Sequence, residues 1–226
     1  MSLEEALTSL RRGDCVLLHD DNARENEVDI VVAADFVTPE HVARMRQDAG
    51  GLICLSLNHA FAQSLGLHYM HDILSNSQNV DTESKKMVIG KAPYGDRPSF
   101  SISINHKNTY TGVTDRDRAL TMSEISHLYK SSDKNKKEIF NSNFKTPGHV
   151  PILIASEGLL SSRLGHTEMS VYLATLAGLS PVTVICEMLD SETYGALSTE
   201  KAKKYAKQNA IPYFDGSKLV EYAKEH

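Results

Sequence analysis

Apolar and polar positions alternate along this chain in two periods. Leu3, Ala6, Leu7 and Leu10 recur on one helical face, Ser2 and Glu5 have the pattern of a capping box, and Gly13 supplies a stop, which predicts a short amphipathic helix. CVLLHDD and VDIVVAAD are β-rich apolar runs divided by the polar DDNARENE. TPEHVARMRQDAGG predicts a second helix, with Thr38 as cap, Pro39 at its first position and glycines behind it, and LICLSL follows as a buried strand. Residues 76–98 are polar and carry glycine and proline, which predicts a long surface loop of the kind that serves as a lid. FSISINH alternates like a half-buried strand, MSEISHLYK has a helical pattern, and KSSDKNKKEIFNSNFK is a charged excursion with the composition of a solvated face. HVPILIA, VTVICEML and AIPYF then predict strands, and TEMSVYLATLAGLS, LSTEKAKKYAKQN and DGSKLVEYAKEH predict helices. Strands and helices interleave without a repeat or a compositional break, so residues 1–226 are expected to form one mixed α/β domain.

Composition narrows the partners. A formal net charge of -5 provides no general basic field for nucleic acid, although a local basic site for a small anion is compatible with it. The 3 cysteines form no CxxC pair, which points to a reducing cytoplasm. The N-terminus lacks a basic segment followed by an apolar one, and the longest apolar runs fall well short of a membrane span, so no membrane association is expected.

The chemistry concentrates in a few places. DDNARENEVD, residues 20–29, carries five carboxylates and runs directly into a segment that must be buried. If residues 25–32 are extended, Glu25, Glu27 and Asp29 project to one side and Asn26, Val28, Ile30 and Val32 to the other. Such a row is either a solvated acidic edge or half of a site for a hard divalent cation, with Arg24 offsetting part of the charge. In SRLGHTEMSVYLATLAGLS, Thr167 is a candidate N-cap, and with Arg163 and Gly165 before it the helix start would suit a phosphate. His166 is either a capping residue or a metal ligand. His149 sits at a turn entering a strand, and Glu187 ends an otherwise apolar strand, as a general base or as the first exposed residue after it. Cys54 and Cys186 have the pattern of core residues.

Taken in order, DDNARENEVDIVVAA, TPEHVARMRQDAGGLICLSL, TGVTDRDRALT, TPGHV, RLGHTEMSVYLATLAGL and VICEML resemble the 3,4-dihydroxy-2-butanone 4-phosphate synthases of riboflavin biosynthesis, most of all the archaeal single-function members. The resemblance runs over nearly the whole chain. It implies a three-layer α/β fold of the α+β type, with a mixed sheet flanked by helices. It also implies conversion of ribulose 5-phosphate to 3,4-dihydroxy-2-butanone 4-phosphate and formate. Magnesium or manganese would be required, two ions per active site, with no organic cofactor, in a cytoplasmic homodimer with shared active sites. By the same resemblance Glu25 and His166 would bind metal, and Arg24, Glu27, Asp29, Arg163, Gly165 and Thr167 would hold the substrate, with Thr111 near its phosphate. Glu187 and His149 would move protons, His149 in the partner subunit's site, and Asp20 and Cys54 would line the pocket. Val28, where the bacterial pattern has glycine, and Tyr172, at a commonly acidic position, are departures that touch no expected ligand. No GTP cyclohydrolase II extension is expected after the last predicted helix. The rival readings are another divalent-metal sugar-phosphate lyase or isomerase and, in a different class, a nucleotide- or RNA-binding module.

Overall fold

The structure, a computed structural model, describes residues 2–225. Among the described residues, seven strands form one mixed sheet in the order β4-β5-β3-β6-β2-β1-β7. They are β1 (Val16–His19), β2 (Val28–Ala33), β3 (Cys54–Leu57), β4 (Phe100–His106), β5 (Phe144–Ile154), β6 (Val182–Glu187) and β7 (Tyr213–Asp215). β1 is parallel to β7 and β3 to β5, and the other neighbours are antiparallel.

Alternation along the strands gives the sheet two apolar faces, and each is covered. Val16, Leu18, Val31, Cys54, Ile185 and Phe214 pack with α1 (Leu3–Arg12), α7 (His166–Leu176) and α9 (Gly216–Glu225). Leu17, Val28, Ile30, Val32, Leu55, Ile152, Val184 and Cys186 share the larger core with α2 (Pro39–Arg44), α5 (Asp115–Lys130) and α8 (Thr199–Gln208). Central strands enclosed on both sides read as continuous apolar runs, which is why VDIVVA and VTVIC carry so few polar residues. The result is the expected three-layer α/β architecture. Among the described residues, no helix is long and apolar enough to cross a membrane.

Several local expectations are met in detail. Ser2 accepts from the Glu5 N–H at 3.3 Å while Glu5 accepts from the Ser2 N–H at 2.7 Å, closing the capping box, and Gly13 ends α1 in the left-handed region at φ 80°. Others are corrected. The second helix does not run unbroken to its glycines: after Arg44 it widens into a π-helical turn, Met45–Ala49. Helices α3 (His59–Ser64) and α4 (Met70–Asn76) follow β3, and the loop after them contains a 3-10 segment, Ser84–Ile89. The charged excursion contains α6 (Lys136–Asn143), which forms because Phe140 is buried and stacks on Phe144 at 5.2 Å.

One geometric feature prepares the site. The ends of β1 and β6, the starts of β2 and β3 and the start of α7 all lie at one end of the sheet, since Asp29 is paired with Leu18 on one side and Glu187 on the other. Phe214, fully buried under α9 from the edge strand β7, ties this end to the helical layer. Phe214→Ala is expected to lower unfolding free energy by about 3–5 kcal/mol, read from the midpoint of urea denaturation.

Candidate active site

The acidic segment is not an extended row. Residues 22–25 form a turn, Asn26 takes φ 54°, and β2 begins only at Val28. The carboxylates converge because the chain folds around Asp20. Its Oδ2 accepts from the Glu25 N–H and from Arg24 Nη1, both at 3.1 Å, and its Oδ1 accepts from the Glu27 N–H at 3.0 Å. Asp29 does lie in the strand and points to the α7 face, opposite Val28 and Ile30.

His166 stands in the middle of this turn. Its Nδ1 lies 3.3 Å from Glu25 Oε2, and its Nε2 lies 3.2 Å from the Glu27 carbonyl oxygen and 3.7 Å from Asp29 Oδ1. Both ring nitrogens thus face acceptors, which suits an imidazolium donating from each side. Burial opposes that charge, but Asp29, Glu25 and Asp20 outweigh it and hold His166 up at about 9. Burial, with help from Glu187, Glu27 and Glu25, pushes Asp29 up to about 8 against the pull of His166. Burial also works against Glu25, yet His166, Tyr94 and Arg24 bring it down to about 2.

Burial and neighbouring carboxylates raise the proton affinity of Asp29, and carboxylates raise that of His166, as expected of a cluster short of positive charge. Asp20, Glu25 and His166 each offer one ligand atom, and these lie within 4.8 Å of one another. Asp29 Oδ1 is buried without a hydrogen-bond partner. Oxygen donors with one imidazole fit a hard divalent cation, whose arrival would displace a proton from the ring.

Beside the cluster two guanidinium groups line a cleft of about 590 Å³. Arg24 Nη1 pairs with Glu25 Oε2 at 2.8 Å, and its Nε donates to Asp96 Oδ2 at 3.0 Å. Arg163 Nε is 3.4 Å from the same Asp96 oxygen. Tyr94 lays its ring over the Arg24 guanidinium at 4.8 Å, and its hydroxyl helps to lower the pKa of Glu25. Tyr94 and Asp96 belong to a tight turn in which the Ala92 N–H donates to the Asp96 carbonyl at 2.8 Å. The expected lid loop therefore reaches the site through this turn.

Thr167 does not cap α7. The N-cap is Gly165, no side chain caps the helix, and Thr167 is buried in its first turn. The positive charge at this corner comes from the arginines. Glu187, at the end of β6, accepts from the Leu52 N–H at 2.8 Å through Oε2, and its carbonyl accepts from the Gly51 N–H at 3.0 Å. A Cβ on Gly51 would lie 2.5 Å from both the Glu187 carbonyl oxygen and Oε2, so only glycine permits this approach. Cys54 is buried in the core under α7, and burial together with Glu187 and Asp29 raises its thiol well above the usual range.

His149 and Thr111 stand apart from the Glu25–His166 cluster and near each other. Asn105 lies 3.0 Å from His149 Nδ1 through its amide nitrogen and accepts from the His149 N–H at 2.8 Å. It also packs tightly on Gly112, where a Cβ would meet it at 2.0 Å. Both His149 and Thr111 are exposed. Tyr94, Asp96 and Glu168, the buried partner of Arg163 at 2.6 Å, were not expected from the sequence. A signal was available for Tyr94, the only aromatic residue between 76 and 98.

Comparison with known proteins bears on this arrangement. Residues 4–222 match the family model for 3,4-dihydroxy-2-butanone 4-phosphate synthase. The chain is 42% identical over 219 residues to the 3,4-dihydroxy-2-butanone 4-phosphate synthase of Methanothermobacter thermautotrophicus, covering 97% of this chain and 94% of that one. It is 43% identical over 223 residues to the same enzyme of Archaeoglobus fulgidus, covering 98% and 94%. A crystal structure of a 3,4-dihydroxy-2-butanone 4-phosphate synthase in complex with two magnesium ions superposes with a TM-score of 0.80 at 26% identity, covering 100% of this chain and 97% of that one.

The loop that carries Thr111 provides a pH test. The Asp117 carboxylate accepts from the backbone N–H groups of Gly112, Thr111 and Tyr110, at 2.8, 3.2 and 3.4 Å. These bonds, that of Gly112 foremost, hold its pKa below the ordinary 3.8. A depressed carboxylate contributes stability that is complete above its unfolded pKa and is lost as pH falls through the folded one. The Gly112 amide is expected to keep its NMR shift and its protection from hydrogen exchange at pH 5 and to lose both below 3.8. Asp117→Asn should remove that transition.

Proposed function

Because the chain belongs to the 3,4-dihydroxy-2-butanone 4-phosphate synthase family, we propose that it converts ribulose 5-phosphate to 3,4-dihydroxy-2-butanone 4-phosphate and formate, supplying a precursor of riboflavin. The observation that carries this reading is the convergence of the acidic turn, His166, Arg163 and Glu187 at one end of the sheet.

The residues suit the chemistry. Arg24 and Arg163 flank the cleft and hold the phosphate, which fixes one end of a flexible sugar while the other end is rebuilt. Glu187, oriented by the Leu52 N–H, keeps its other oxygen available to take and return a proton at the carbons beside the ketone. Asp29, directly across from Glu187 in the sheet, bears on the same region of the sugar. Asp20, Glu25 and His166 would hold the metal, magnesium or manganese; the reading includes two ions per active site and no organic cofactor, and the related structure with two magnesium ions supports that count. When bound, the metal supplies concentrated positive charge for the negative charge that develops on the sugar oxygens. Tyr94 and the turn around it shield the cleft from water. His149 and Thr111 serve the site of a second copy in a homodimer. In favour of this are their exposure and the exposed Tyr110 and Val113 that flank Thr111.

Purified protein with ribulose 5-phosphate and magnesium is expected to release formate, and a chelator should abolish the release. Glu25→Ala and Glu187→Ala should each lower kcat by about 10²–10⁴ with the fold retained. Folded, metal-loaded protein that consumes the sugar without formate would point instead to another metal-dependent sugar-phosphate lyase or isomerase. Gly51→Ala displaces Glu187 without removing it and should cost about 10²-fold in kcat. Full activity in that variant would remove Glu187 from its assigned place.

A further inference from the structure

Glu168, the last residue of the GHTE run, is completely buried and has no role in the chemistry above. Its two oxygens are used differently. Oε1 accepts from the N–H and hydroxyl of Ser156, at 2.9 and 3.2 Å. Oε2 accepts from Arg163 Nη1 at 2.6 Å, a short charge-assisted bond between two enclosed groups.

That bond takes up one corner of the Arg163 fork and leaves the rest directed elsewhere. Arg163 Nε is buried without a hydrogen-bond partner and lies 3.4 Å from the Asp96 carboxylate in the arginine-lined cleft. A free arginine side chain turns about several bonds, whereas one pinned at Nη1 by a rigid carboxylate presents a fixed N–H edge. The backbone has made room for this pin. A Cβ on Gly165 would lie 2.2 Å from Arg163 Nη1 and 2.9 Å from Glu168 Oε2, so the ion pair crosses directly over the glycine. Gly165 has φ -96°, which any residue adopts, so close passage rather than backbone freedom demands glycine here.

We propose that Glu168 is a positioning residue: anchored by Ser156, it holds Arg163 with its Nε edge toward the substrate phosphate. This rests on the reading of the cleft as a phosphate site. Glu168 touches no substrate atom in this role and acts only through the guanidinium.

The test uses the whole protein, with ribulose 5-phosphate as substrate and inorganic phosphate as competing ligand. Glu168→Gln preserves size and an acceptor for Ser156 and removes the charge that holds Arg163. It is expected to raise KM and the phosphate inhibition constant together by about tenfold, with kcat changed by less than about threefold. Glu168→Asp keeps the charge and withdraws the carboxylate by one methylene, so it should move both constants in the same direction if the Gln variant fails to fold. In an Arg163→Ala background, Glu168→Gln should add no further rise. Unchanged constants in the folded variants, or a full further rise in that background, would overturn the proposal. Calorimetric binding of inorganic phosphate does not depend on turnover. A Glu168 effect on that binding would therefore support the inference even if the wild type released no formate, a result that would sink only the assigned reaction.

Discussion

Negative charge enclosed around one imidazole is the constraint on which this structure turns. Asp20, Glu25, Glu27 and Asp29 lie within a ten-residue stretch, and Glu187 is set beside Asp29 by the sheet register. Like charges at such separations are tolerable only when cations or protons are interleaved with them. His166 and Arg24 do this from within the chain, and Asp20 turns its own charge to use by accepting two backbone N–H groups that shape the turn. The demand of the cluster for positive charge is thus a property of its packing.

The fold makes that concentration possible by fixing its parts independently. β2 and β6 are locked between two apolar layers, so Asp29 and Glu187 cannot move apart without disturbing both cores. α7 delivers His166 at its first turn, and the same turn carries Glu168 inward to Arg163. Asp29 and Glu187 sit in strands and His166 and Glu168 in the first turn of α7, so rigid elements lie beneath these polar side chains.

Much of this was legible in the sequence where a local rule acts alone. The Ser2–Glu5 box, the stop at Gly13 and the apolar run of β2 are decided by residues close together in the chain, and they appear as expected. The acidic stretch was legible as chemistry but not as shape: an extended row and a solvated loop both suited residues 25–27, and bonds to nearby Asp20 and distant His166 fold the chain into a turn. Thr167 had the composition of a cap, yet the pair between Arg163 and Glu168 needed Gly165 in that position. Helix α6 was hidden because its charge masks a single buried aromatic residue, Phe140. Tyr94 and Asp96 depend on a contact between residues about seventy positions apart, which no periodicity announces.

The seat between Arg24 and Arg163 already holds an anion of the chain itself, the carboxylate of Asp96. Entry of an outside anion is therefore an exchange, and its driving force is the difference between newcomer and occupant. A phosphate monoester brings a charge of about -1.5 to -2 and three strong acceptor oxygens, while Asp96 brings one charge and a single engaged oxygen. Chloride or acetate offers no more charge than the group it would replace. If the cleft is the phosphate site proposed above, valence alone would favour a phosphate monoester, without any part of the protein having to repel the weaker anions.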